Sequence, residues 1–284
     1  MQIALGSAKL SIIDGSNLQF DSRGTELNDP ETVPQATPPL LTERSVEAHT
    51  ARSAWTYVYT FLFAGLILFV SLAGADQQVP LARRGHNVFY TVTIVSELVL
   101  FVLAYLGIRF SGMRLREVIG GKWKTVEDFL LELALGFGFS IFLLIVVAAL
   151  GFAMGLNRPG TIDQGKKVIM AVAPKTNQEL ALFIFLSMTA GVVEEIVFRG
   201  FLQTQFGRLF RNVWFGMFVS AALFGLSHAY EGKPRMFLIF ILGLLFGTVT
   251  ILRKSLRTGM IAHALFDGFV GAAAMFAIKS GALK

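Results

Sequence analysis

The sequence predicts an all-α protein, a polytopic bundle of about seven transmembrane helices over residues 51–284 behind a flexible tail, residues 1–50. Three observations predict it. Hydrophobic residues make up 54% of the chain and charged ones 15%, and the mean hydropathy of +0.62 is too high for a soluble domain. The apolar residues gather into about seven runs, each long enough for a bilayer core of ~30 Å. Between the runs lie links with small groups of Lys and Arg, the charge pattern that anionic lipid headgroups attract.

Residues 1–50 hold four of the eight prolines and many polar residues, and read as a mobile cytosolic tail without a signal peptide. The tail is acidic, with seven acidic and three basic residues, against twelve and twenty-two in the remainder. Because the basic residues flank apolar runs, the partner they imply is the lipid bilayer and not nucleic acid. Cysteine is absent, which excludes disulfides, a thiolate nucleophile and cysteine-ligated zinc.

The first span runs from about Trp55 to Ala73, and the second from Val88 to Ile108 with Glu97 at its middle and no partner legible. The basic link from Arg109 to Lys124 reads as a segment lying on the membrane surface. Glu127, Asp128 and Glu132 then precede the third span, Leu133 to Met154, where acidic residues suit a helix N-terminus. The fourth span is Leu180 to about Gln203, the fifth Trp214 to Tyr230, the sixth Met236 to Leu252 and the seventh Met260 to Ile278. Trp55 and Trp214 open spans, as interfacial aromatics do. Seven spans put the termini on opposite sides. The side facing the N-terminus carries ten link Lys and Arg against eight, which favours a cytosolic N-terminus.

The fourth span carries the chemistry. Glu194, Glu195 and Arg199 lie inside it, and each charge in a bilayer costs about 2.5–3.5 kcal/mol on insertion scales, so such residues face a bundle interior for a purpose. Glu195 and Arg199 are i and i+4 and can pair, while Glu194 points about 100° away. Two later spans offer it partners: His228, closing Phe224-Gly-Leu-Ser-His228, and His263, which shares a helix face with Asp267. With no Cys and no serine in a nucleophile-elbow setting, water is the expected nucleophile. Glu194 serves as base, a histidine positions the water, and His263 with Asp267 stabilises the oxyanion.

Any one of these residues taken alone has a structural explanation. The Glu195–Arg199 pair ties helices together, and Asp267 can serve as acceptor for the His263 ring. Their conjunction within one apolar stretch is what points to chemistry. It also resembles a known family. The patterns EExxxR at Glu194–Arg199, FxxxH at Phe224–His228 and HxxxD at His263–Asp267 are similar to the three motifs of the CAAX protease and bacteriocin-processing (CPBP, or Abi) intramembrane proteases, which include the type II CAAX prenyl endopeptidases. The resemblance covers about residues 180–270. It implies an endopeptidase acting on a membrane-tethered peptide or protein, including a prenylated CAAX-like one. It further implies Glu194 as the water-activating carboxylate with His228, Glu195, Arg199 and Phe224 in support, and His263 with residue 267 completing the site. The last position is typically Asn in the prenyl endopeptidase branch; here it is Asp267, which leaves its oxyanion role open and makes a metal-ligand role easier.

Glu194, His228 and His263 could supply three zinc ligands with Asp267 behind the His263 ring. An HExxH motif is missing, each ligand comes from a different helix, and the balance leans to water activated without a metal. Two other classes share these residues, a proton-coupled carrier and a non-catalytic membrane scaffold. Against the carrier stands the lack of a repeated hydropathy pattern. One geometric difficulty follows from these boundaries. Glu194 lies past the middle of the fourth span and His228 near the far end of an antiparallel fifth, so straight helices separate them by roughly 10 Å in depth.

Overall fold

The computed structural model describes residues 43–74, 81–82, 84–156, 158, 166 and 169–282, with the side chains of 43–53 left aside. The chain divides into two units, Met1–Val46 and Glu47–Lys284. The tail expected over residues 1–50 lies outside the described residues up to position 42. From Glu43 the chain is helical, so the first helix starts well before the apolar run that motivated it.

The described residues are helical, without strands. Helix α1 is Glu43–Gly74, α2 His86–Phe110, α3 Leu115–Ile119 and α4 Val126–Ala153. Helix α5 is Asn177–Leu209, α6 Val213–Ser227, α7 Lys233–Arg253 and α8 Arg257–Lys279. Six of these are long and apolar enough to cross a membrane: α1 through its part Ala54–Gly74, α2, α4, α5, α7 and α8. The fifth expected span, α6, has 15 residues, about 22 Å of helix, and falls short of a ~30 Å core. Leu62, Phe69, Val99, Phe137 and Ile145 face outward, as lipid-covered positions do.

The helix starts follow local chemistry. Thr125 and Asp128 form a capping box on α4, and Thr176 and Glu179 form another on α5. Helix α4 begins at Val126, so Glu127 and Asp128 lie in its first turn and Glu132 one turn further, inside the span that was expected to start at Leu133. There Glu132 binds Arg253 at 2.9 Å and accepts from the Thr258 hydroxyl, tying α4 to the α7–α8 corner. The surface segment predicted between the second and third spans contains the five-residue helix α3. It ends at Gly120 and Gly121, both at positive φ, and Ile119 O accepts from Leu256 N at 3.1 Å.

Two pairings position the site. Helices α2 and α5 run parallel, joined by His86 Nδ1 to Glu179 Oε2 at 3.1 Å and by the Tyr90 ring 5.5 Å from Phe183. Helices α5 and α6 form an antiparallel hairpin about Arg211, which takes φ 53°. The GxxxG of α7 allows close contact with α6, because a Cβ on Gly243 would lie 3.0 Å from Ala221 Cα.

Candidate active site

From Glu195 to Leu202 helix α5 is a π-helix, and every residue in it is buried. The Gln203 amide donates to Phe198 O, five residues back, and the widened turn leaves carbonyls for other donors. Ser220 Oγ takes up Phe198 O at 2.6 Å, and Thr204 Oγ1 takes up Arg199 O at 3.4 Å. The site is built around this segment.

Glu195 and Arg199 pair at 3.0 Å as their spacing predicts, with side chains 0% and 2% exposed. The Arg199 guanidinium stacks 4.3 Å from the Phe224 ring and 5.1 Å from that of Phe246, and its Nη2 donates to Gly243 O at 3.4 Å. Phe224 holds the centre of the arrangement. Its ring lies 4.9 Å from Phe198, 5.0 Å from His228 and 6.1 Å from His263.

Both glutamates address one imidazole. His263 Nδ1 is 3.3 Å from Glu195 Oε1, and Nε2 is 3.6 Å from Glu194 Oε2 and 3.7 Å from Asp267 Oδ2. The two carboxylates leave α5 in different directions, and the ring reaches both because its nitrogens lie on different edges. The carboxylate that orients the ring through Nδ1 is Glu195, whereas Asp267 shares Nε2 with Glu194. A lone pair on Nε2 facing two carboxylates would be repelled, so a proton resides on Nε2 or on one of the two acids.

His228 caps α6, outside the helix proper. Its Nδ1–H donates to Phe224 O at 2.9 Å, which selects the tautomer and leaves Nε2 as an acceptor. The expected 10 Å mismatch in depth is reduced by the true length of the fourth span, because helix α5 continues six residues past Gln203 to Leu209. The Ser220–Phe198 bond sets the register of the antiparallel pair and puts Glu194 opposite Phe224, about one turn from His228.

Among the described residues no group of three or more His, Asp or Glu, the set Glu194, His228 and His263 included, is placed to hold a metal ion.

Three residues of this site were not singled out from the sequence. Phe246 faces both Arg199 and, at 4.9 Å, the His263 ring. A Cβ on Gly259 would lie 3.0 Å from Glu195 Oε2, so a glycine admits that carboxylate. Gly191 brings α5 against α8, since a Cβ there would meet Ala264 N at 2.6 Å and Ala264 Cα at 2.9 Å. Phe246 has no signal beyond its apolar helix; the glycines are legible only as small residues. Backbone atoms cannot give way as a flexible side chain can. Gly191→Ala is therefore expected to lower stability by about 1–3 kcal/mol and to part Glu194 from His263. Thermal unfolding in detergent measures this, and an unchanged midpoint would show that the helices do not need their close approach.

No curated protein and no solved structure matches the chain. Residues 176–269, from the cap of α5 through Asp267 of α8, match the model of the family described as type II CAAX prenyl endopeptidase Rce1-like. That segment holds Glu194, Glu195, Arg199, Phe224, His228, His263 and Asp267, and over it this chain is similar to the Rce1-like family.

Proposed function

We propose that this protein is an intramembrane endopeptidase that cleaves a peptide bond of a membrane-associated or prenylated CAAX-like substrate with a water activated by Glu194. The observation that carries the reading is the placement of Glu194 Oε2 3.6 Å from His263 Nε2, in a site otherwise walled by apolar helices. That separation is longer than a direct hydrogen bond and suits a bridging water. Glu194 takes a proton from this water as the hydroxide adds to the scissile carbonyl. His228, with its Nε2 free, positions the water, and His263 in its protonated form stabilises the oxyanion with Asp267 beside it. Glu194 then returns the proton to the leaving amine. Glu195 and Arg199 hold the imidazole and take no part in the proton transfers.

The membrane-embedded site implies a substrate delivered from the bilayer, and the ten-to-eight excess of Lys and Arg in the links supports a cytosolic N-terminus. The test is purified protein with a panel of membrane-tethered peptides, prenylated and not, wild type against Glu194→Ala. Cleavage of none of them, or equal cleavage by both proteins, would sink the reading and leave the carrier or scaffold.

The mechanism proceeds without a metal, because general base catalysis needs reach and a suitable proton affinity but no ion. Elemental analysis of active protein is accordingly expected to find no stoichiometric zinc, and exhaustive chelation should leave cleavage intact. Activity lost on chelation and restored by zinc would instead make Glu194 a ligand.

A further inference from the structure

Glu97 is an acid in the middle of a membrane-spanning helix that the three motifs leave unused. It is 8% exposed, and its Oε2 makes no hydrogen bond among the described residues. Burying a carboxyl group without a partner is costly, so its surroundings decide what it is for.

The register of α2 against α5 locates it. His86 meets Glu179 across an offset of 93 residues. Tyr90 with Phe183 keeps that offset, and Gly107, where a Cβ would come within 2.6 Å of the Phe201 ring, changes it by one residue. The same offset puts Glu97 level with Ala190 and Gly191, one turn before Glu194. Gly191 is also where α8 crosses α5, against Ala264, the neighbour of His263. Three helices therefore bring acidic or imidazole side chains to within about one turn of one another, and Glu97 interacts electrostatically with Glu194, His263 and Asp267.

Charge balance sets its form. Around His263 stand Glu194, Glu195 and Asp267, offset by Arg199 and by His263 when protonated. A fourth negative charge would have no counterion there, whereas a neutral acid adds none and supplies an O–H donor.

We propose that Glu97 is a positioning residue of this active site, a fourth acidic side chain that carries a proton and uses it to hold the Glu194 carboxylate in place. This rests on the endopeptidase reading for its effect on rate, though not for its geometry. An amide can donate as a neutral acid does; an alkyl group cannot. Glu97→Leu should thus lower kcat by about 10–100-fold, the usual loss when a supporting hydrogen-bond partner is removed, with KM within about twofold. Glu97→Gln should recover most of that loss. Neither substitution leaves a charge unpaired, because the acid it replaces is neutral, so both variants should elute from size exclusion as the wild type does.

Kinetics on a cleaved membrane-tethered peptide test the role. An unchanged kcat in Glu97→Leu, or Glu97→Gln as impaired as Glu97→Leu, would overturn it. Infrared spectroscopy tests the placement whether or not any peptide is cleaved. The protonated-carboxyl band that disappears in Glu97→Gln should shift in Glu194→Gln. No such band, or one indifferent to Glu194→Gln, would overturn the inference and leave the peptidase reading standing. A wild type that cleaves nothing yet shows the coupled band would sink the peptidase reading and keep Glu97 in the site.

Discussion

Glu194→Gln is expected to lower cleavage of a membrane-tethered peptide on the order of 10²–10⁴-fold, the span general-base catalysis contributes. The amide has the shape of the acid and cannot take a proton from water. The side chain is 14% exposed, and its nearest charged neighbour, His263 Nε2 at 3.6 Å, also has Asp267 Oδ2 at 3.7 Å. The imidazole keeps Glu195 at Nδ1 as well, so the substitution strands no buried charge. Folded yield in detergent should match the wild type. The checks are kcat/KM and a size-exclusion profile on the same preparation. Yield lost in step with activity would mean Glu194 is structural.

Arg199→Ala should do the reverse, with its main effect on the fold. Glu195 is fully buried, and Arg199 is its neutralising partner at 3.0 Å. Truncating one partner of a buried pair typically costs about 3–5 kcal/mol, because the other charge stays behind in low dielectric. Phe224 and Phe246 also lose the cation stacked on them at 4.3 Å and 5.1 Å. Arg199→Lys restores charge without a planar group to stack, so an intermediate loss is expected. The thermal unfolding midpoint in detergent measures both variants, and a wild-type value for Arg199→Ala would refute a supporting role for the pair.

The contrast between these substitutions shows what spacing can carry. Positions four apart on one helix face one another wherever the helix goes, so the Glu195–Arg199 contact was legible from sequence. Asp128 was read as an acid suiting a helix N-terminus and does cap α4, whereas the matching cap by Glu179 on α5 was not singled out. Nothing local announced the π segment from Glu195 to Leu202. Its carbonyls are satisfied by Ser220 of another helix and by Thr204, and without such donors the widened turn gains little.

By itself the sequence determined that the chain is a helical membrane protein and which apolar runs become its long helices, though α4 begins seven residues before the expected Leu133 and α5 ends six beyond the expected Gln203. It also placed Glu194, Glu195, Arg199, His263 and Asp267 in those helices, because composition and periodicity are properties of the chain itself, whereas His228 falls just past the end of its helix. Only the tertiary structure decided that α5 reaches Leu209, bringing Glu194 to within about one turn of His228 in depth. It also decided that two adjacent glutamates share the His263 ring, that Phe246 backs that ring, and that Glu97 faces the same group of charges. Each of these depends on which helix lies beside which and in what register. Close-packed glycine contacts such as Gly191 on Ala264 select that register, and no pattern along one helix encodes its neighbour.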